Sequence, residues 1–266
     1  MASRRRCDLA SPTDGVAVPL ARPERADGQL LYAIGDIHGR YDLLRQLLAL
    51  IVADCAARAG DRRPILVLAG DYIDRGPDSS RVLAGLIWLG RHGAFELHCL
   101  KGNHEEAFLA FLDNPVGNAA WLGFGGDETL LSYGVRPPAP LDGEGDLIRA
   151  RDDLLDVLPV AHLQFLRGLE LILTIGDYAF VHAGIRPGVP LLDQRPQDLL
   201  WMREPFLGST ARHEKTIVHG HSWRSADPQV SPVRIGIDTG AYETDVLTAV
   251  RIEDNAIAFL QAGVPD

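Results

Sequence analysis

Cysteine is scarce in this chain of 266 residues, which has only Cys7, Cys55 and Cys99. The number is odd and the spacings fit neither a disulfide framework nor a thiolate metal site, so the three read as reduced thiols in a reducing compartment. No uninterrupted apolar run is long enough to cross a bilayer, which excludes a helical membrane span. Arg4, Arg5 and Arg6 imitate the basic start of a secretory signal, but the apolar stretch after them, Val16 to Ala21, is short and broken by Pro19. A surplus of positive charge is also missing. The net charge is −10, against the basic face that nucleic-acid binding usually shows. Together these absences describe a cytoplasmic protein with neither a membrane nor a nucleic acid as partner. An acidic chain can still act on phosphate esters, because bound divalent cations supply positive charge that residue counting omits.

What is present is a single pattern of alternating elements. Residues 1–28 are rich in Arg, Pro, Asp and Ala without periodicity and read as a flexible leader. No linker or repeat divides the rest, so residues 29–266 read as one domain, long enough for a sizeable core. Leu30–Ile34, Ile65–Ala69 and Phe95–Leu100 read as strands, and Tyr41–Arg58, Ser79–Arg91 and His104–Leu112 as the helices between and after them. Asn114–Asp146 is rich in Gly and Pro and reads as loops with short helices, and Leu147–Leu158 as a helix. Beyond it come short apolar runs: Leu169–Ile175, Tyr178–His182, Lys215–His219, Val233–Asp238, Asp245–Ile252 and Ala256–Leu260. These suggest a second sheet packed on the first, an α/β architecture built as a β-sandwich flanked by helices.

Each early strand ends in a polar turn with glycine. The first runs into Gly35-Asp36-Ile37-His38-Gly39, the second into Gly70-Asp71-Tyr72-Ile73-Asp74-Arg75-Gly76, and the third into Gly102-Asn103-His104-Glu105. Ligands of open α/β sheets bind beyond the carboxyl ends of the strands, so the three turns should converge. Carboxylate and imidazole donors suit a divalent ion such as Mn, Fe or Zn. Asp36 and His38 are two residues apart and project to one side of an extended segment. Two later strands end at Val181-His182-Ala183-Gly184 and Val218-His219-Gly220-His221-Ser222. Spacing alone does not choose between His219 and His221. By itself Asp74 could also cap a helix, and Asp238 could be a turn residue or a carboxylate orienting a metal-bound histidine. His92, His98, His162 and His213 match no motif and read as structural or exposed.

In this order the motifs resemble the phosphoprotein phosphatase branch of the metallophosphoesterases, especially its small bacterial and phage-type members. The resemblance also takes in Leu200-Trp201-Met202-Arg203-Glu204 and Ile237-Asp238-Thr239-Gly240-Ala241, so it covers most of the chain after the leader. It implies an α/β metallophosphoesterase fold, a four-layer β-sandwich flanked by α-helices. It implies two divalent metal ions, with manganese the expected one. Asp36 and His38 would hold the first, Asp71 would bridge, and Asn103, His182 and His221 would hold the second. Arg75 and Arg203 would grip the phosphate, and His104, oriented by Asp74, would be the general acid. The chemistry is consistent with these roles: a bridging carboxylate sets two cations ~3.5–4 Å apart, where a water between them loses a proton near neutral pH and can attack phosphorus directly. Arginine binds phosphate bidentately, and an imidazolium held by a carboxylate can protonate a departing oxygen.

Asp74 and Glu105 match the protein-phosphatase branch, whereas the dinucleoside tetraphosphatase branch usually differs at both. That favours phosphomonoester hydrolysis on protein serine or threonine, with tyrosine as an extension and small phosphoesters as further substrates. Symmetrical cleavage of a dinucleoside tetraphosphate is the alternative, to which Ala183 is no obstacle. An inactive phosphate-binding scaffold would have lost ligands or the acid, and every motif position is intact. The segment Trp121–Gly134 is expected to shape one wall of the site.

Overall fold

The computed structural model of the chain describes residues 25–139, 143–254 and 256–263. In chain order its elements begin β1 (Leu30–Ile34), α1 (Tyr41–Arg58), β2 (Ile65–Leu68), α2 (Ser79–His92), β3 (Glu96–Cys99) and α3 (Asn103–Asp113). A 3-10 turn (Ala119–Phe124), α4 (Gly126–Ser132), α5 (Glu144–Val157) and α6 (Val160–Arg167) follow. The second half holds β4 (Ile172–Ile175), β5 (Tyr178–Val181), α7 (Pro196–Trp201), β6 (Thr216–His219), β7 (Gln229–Val230), β8 (Arg234–Gly236), α8 (Ala241–Thr244), β9 (Leu247–Glu253) and β10 (Ala256–Ala262).

Among the described residues, ten strands make two five-stranded sheets, ordered β10-β9-β1-β2-β3 and β4-β5-β6-β8-β7. β1, β2 and β3 run parallel, as do β5, β6 and β8, while β9 and β10 join the first sheet and β4 and β7 the second by antiparallel pairing. The layering follows from strand alternation. Leu30, Tyr32 and Ile34 turn towards Leu43, Leu44, Leu47 and Ile51 of α1, in one core. Leu31 and Ala33, on the other face, meet Phe180, Val218 and Ile235 of the second sheet, in another. Ala179, Val181 and Ile217 turn outward onto Leu199, Met202 and Phe206 around α7. β1 and β2 are therefore buried on both faces, which is why they read as continuous apolar runs instead of alternating ones.

The four-layer sandwich agrees with the expected fold, and α1 has the expected bounds. Three stretches differ. Leu169–Leu171 is not strand; Glu170 only bridges Leu100 across the gap between the sheets, and β4 starts at Ile172. The short helices α6 and α7, each opened by a proline, were not legible as helices. The expected leader lies outside the described residues up to residue 24. Its last residues are tied into the fold: Arg25 N–H donates to Asp177 Oδ2 at 2.9 Å, and Ala26 is fully buried.

At the end of the first sheet away from the motif turns, Asp54 of α1 accepts Tyr32 Oη at 2.6 Å, Arg251 at 2.8 Å and Arg58 at 3.1 Å. Burial pushes this carboxyl up, but those three donors outweigh it and hold its pKa below the ordinary value. Its stabilisation is therefore complete above the unfolded carboxylate range and is lost as pH falls through the depressed folded value. Asp54→Ala should cost about 2 kcal/mol in urea unfolding at pH 7, because it strands a buried hydroxyl and two guanidinium groups. The cost should shrink as the titration is repeated towards pH 3; a pH-independent cost would assign the loss to packing.

Candidate metal centre

The motif residues sit where strands end. β1 delivers Asp36 and His38, β2 delivers Asp71, β3 leads to Asn103 at the first position of α3, β5 delivers His182, and β6 delivers His221. Backbone bonds between the turns draw them together. Ile37 and His38 both donate to Asp71 O, at 3.0 and 2.9 Å, joining the first two turns. Gly220 N donates to His182 O at 2.8 Å, joining the two turns of the second sheet, and His221 N donates to Asp36 Oδ2 at 2.9 Å, joining that sheet to the first.

The convergence places two sets of donor atoms around one carboxylate. His38, Asp71 and His104 form one group, and Asp71, His182 and His221 the other, with the donor atoms of each within 4.8 Å of one another. Asp71 Oδ2 lies 3.5 Å from Nε2 of His38, 3.5 Å from Nε2 of His182 and 3.8 Å from Nε2 of His104. These separations are too long for hydrogen bonds and leave space for a cation. Burial pushes the Asp71 carboxyl up, but the imidazoles of His182, His104, His38 and His221 outweigh it and hold it below its ordinary range. Burial lowers His38 and His182, and lowers His221 to about 3, which keeps these rings in the neutral form that binds metal.

Ring orientation is fixed by carbonyls. His38 Nδ1 donates to Ile73 O and His182 Nδ1 to Ala69 O, each at 2.9 Å. That tautomer leaves the Nε2 lone pairs facing the site, the usual arrangement of metal-bound histidine. Two further observations fit a cation. Asp36 Oδ1 is buried without a hydrogen-bond partner. Asn103 Oδ1 lies 2.8 Å from the His182 Nε2 lone pair, an acceptor facing an acceptor that a shared ion would reconcile. Glycine makes the approach possible: a Cβ on Gly220 would lie 2.0 Å from Asp36 Oδ1, and one on Gly102 2.0 Å from Asp71 Oδ1.

The backbone is strained at the same place. His38, Asp71, Asp74, Arg75 and His221 all adopt positive φ, between 44° and 71°. Such conformations cost of order 1 kcal/mol or more per residue and cluster at functional sites. Glu105 holds the strained turns together. Its carboxylate accepts N–H groups of Tyr72 at 2.8 Å and of Asp71 and Gly102 at 2.9 Å. Burial raises this carboxyl to about 8, with His104 and the backbone donors opposing. In the sequence Glu105 stands only as a branch marker. The signal for its role was its place at the third position of α3, where a glutamate reaches back to the N-cap N–H.

Asp74 does not cap a helix; Asp78 precedes α2. Instead it accepts His104 Nδ1 at 2.7 Å, Trp121 Nε1 at 2.9 Å and Thr129 Oγ1 at 2.6 Å. Burial disfavours the charged form of His104, but the Asp71 and Asp74 carboxylates outweigh it and raise the pKa. Trp121 and Thr129 belong to the segment expected to wall the site, and Gly125 O accepts Arg75 N there. Asn103 and His104 are the first two residues of α3, so they diverge by the angle between successive helical residues. Arg75 lies with Cζ 4.4 Å over the Tyr242 ring, and its charge is felt at Asp36, His38 and His104. Arg203 is exposed, makes no ion pair among the described residues, and its charge is felt at His182 and His221. Asp238 is a turn residue, accepting Gly240 N at 2.9 Å beside Asp36. His219 is buried against Arg234 and takes no part in either donor group.

The profile of the calcineurin-like phosphoesterases matches residues 30–241. The chain belongs to the calcineurin-like phosphoesterases. Members of this family are hydrolases that use divalent metal ions, and the two donor groups around Asp71 are the candidate positions for them here. Among its relatives is a protein of Methylococcus capsulatus named as a symmetrical bis(5'-nucleosyl)-tetraphosphatase, 35% identical over 159 residues. That match covers 59% of this chain and 44% of the relative's length. A Vibrio cholerae protein of the same name is 27% identical over 277 residues, covering 88% of this chain and 98% of that one. A crystal structure named as a candidate diadenosine tetraphosphatase shares the fold, with TM-score 0.62 and 21% identity over 89% of this chain and 95% of that one. The relatives thus carry the name of the alternative activity, and protein phosphatase is not the name they share. Cys55 and Cys99 are free, and no described helix is long and apolar enough to cross a membrane.

Glu105→Ala should leave three buried N–H groups without an acceptor. It should lower folding stability by about 3 kcal/mol in urea and reduce bound divalent metal by elemental analysis. Asp71→Asn should reduce bound divalent metal with little change in the circular dichroism spectrum. Retention of a full metal complement by Asp71→Asn would remove this carboxylate from the ligand set.

Proposed function

We propose that this calcineurin-like phosphoesterase hydrolyses dinucleoside tetraphosphates symmetrically, at a centre holding two divalent metal ions. The observation that carries the chemistry is Asp71 Oδ2 facing imidazole nitrogens from both sheets. The substrate assignment rests on the shared name of the relatives. Asp36, His38 and Asp71 would hold one ion and Asp71, Asn103, His182 and His221 the other, with manganese expected and iron or zinc as substitutes. When bound, the pair would polarise phosphate oxygens and make a water molecule acidic enough to attack phosphorus. The chain's own groups do the rest. Arg75 on the first side and Arg203 on the second grip the equatorial oxygens as their charge grows. Asp74 holds the His104 proton on Nδ1 and leaves Nε2 facing the site, where it can deliver a proton to the leaving oxygen. Residues 29–266 work as one catalytic domain in this reading, in the cytoplasm.

A second reading is favoured by one feature. The leaving group of the symmetrical cleavage is a nucleoside diphosphate, whose oxygen is a weak base and needs little protonation. The Asp74–His104 pair, buried and braced by Trp121 and Thr129, suits a more basic alkoxide. It supports phosphomonoester hydrolysis on serine or threonine, or on tyrosine. Manganese-loaded protein assayed on diadenosine tetraphosphate, a phosphoserine peptide and an aryl phosphate separates the two. Preference for the dinucleotide in kcat/KM is expected; a preference for the peptide would replace the first reading with the second. His104→Asn should keep its metal and lose about 10²–10⁴-fold on phosphoserine, less on the aryl phosphate and least on the dinucleotide. Equal losses on all three would mean that His104 does not protonate the leaving group.

A further inference from the structure

Phe124 and Trp201 stand beside the centre without a role in the chemistry above. Phe124 ends the 3-10 turn after α3, is 38% exposed, and its ring centre is 6.1 Å from that of His104. Trp201 ends α7, 6.2 Å from Phe124 and 6.4 Å from His221. The two rings therefore run as a wall from the imidazole facing the leaving group to an imidazole of the second donor group. Their contacts are tilted or edge-on, with interplanar angles of 62° to 80°, and among the described residues no ring stacks flat on either.

The wall offers ring faces and no hydrogen bond. Phenylalanine has no polar side-chain atom, and the indole N–H of Trp201 is already committed to Glu106 Oε2 at 2.9 Å. Glu106 is on α3, one residue beyond the carboxylate that ties the strand-end turns, so the indole is fixed relative to Asn103 and His104.

The geometry points to a stacking platform for the nucleobase of the leaving nucleotide. Phe124 and Trp201 are its specificity-determining residues, and Glu106 is the positioning residue of Trp201. The inference rests on the dinucleoside tetraphosphate reading and deepens it. A serine leaving group gains nothing from a ring face, whereas stacking a base on an aromatic side chain is typically worth about tenfold to a hundredfold in affinity. A platform on the His104 side also explains why the wall is apolar in a site otherwise made of charges.

Calorimetric titration of the manganese-loaded protein with ADP and with inorganic pyrophosphate tests it, since the two ligands share a diphosphate and differ in the nucleoside. Wild-type protein should bind ADP about tenfold or more tightly than pyrophosphate. Phe124→Leu and Trp201→Leu should bring that ratio towards one without changing pyrophosphate affinity, which also controls for folding. Glu106→Ala should lower the ratio in part, and Glu106→Gln, which keeps an acceptor for the indole, should restore it. A wild-type ratio near one, or a ratio that survives both leucine variants, would overturn the platform. A ratio that behaves as expected in a protein that does not cleave diadenosine tetraphosphate would sustain the platform and overturn the substrate reading instead.

Discussion

Three backbone N–H groups from two separate strand ends terminate on one buried carboxylate, Glu105. The rest of the site depends on that junction. Asp71 sits at positive φ, a conformation its side chain disfavours, and its own N–H is one of the three. Its carbonyl in turn accepts two N–H groups from the first turn, which sets His38. Without Glu105, the donors of β2 and β3 would have no common anchor in a region with no water-facing alternative. A glutamate serves here because two acceptor oxygens can receive several convergent N–H groups, and a shorter side chain on the same helix turn would fall short of them.

The strain and the ligand geometry are two sides of one arrangement. Five non-glycine residues in left-handed conformations carry the ligand and acid side chains or flank them. Each costs free energy that the four-layer core must offset. Carbonyls of Ile73 and Ala69 then fix the tautomers of His38 and His182. Backbone carbonyls and N–H groups thus set the orientation of the donor side chains. Electrostatics point the same way. The chain is acidic overall, yet Asp71 faces four imidazoles, and the buried carboxylates Asp36 and Asp71 suit a cation between them.

The pairing of an intact Asp74–His104 dyad with relatives named as dinucleoside tetraphosphatases is a tension with physical content. An acid catalyst matters in proportion to the basicity of the leaving oxygen, so the dyad and the aromatic wall speak for different leaving groups. Both can be true of one enzyme if the site handles phosphoesters of several kinds and the wall adds preference for those that carry a base.

The sequence by itself determined the alternation of strands and helices and the five polar turns at strand ends. β1, β2 and α1 were legible because their apolar residues form continuous or helically spaced runs whose burial is local in origin. Candidate ligands could be named because each lies within a few residues of a glycine, and the fold gathers His38, Asp71, His182 and His221 of them into two donor groups. What only the tertiary structure decided were matters of distance between segments far apart in the chain. His221 and His219 have equivalent spacing; the fold separates them because His219 faces inward to Arg234 while His221 follows the glycine that lets the chain pass Asp36. Asp74 could have capped a helix until its partners arrived from α3, the 3-10 turn and α4. Glu105 looked like a motif letter until two strands ended on it. The deciding contacts are hydrogen bonds between separate segments, 15 residues apart for His219 and Arg234, 30 for Asp74 and His104 and 34 for Asp71 and Glu105, and spacing along the chain carries no information about an approach of that kind.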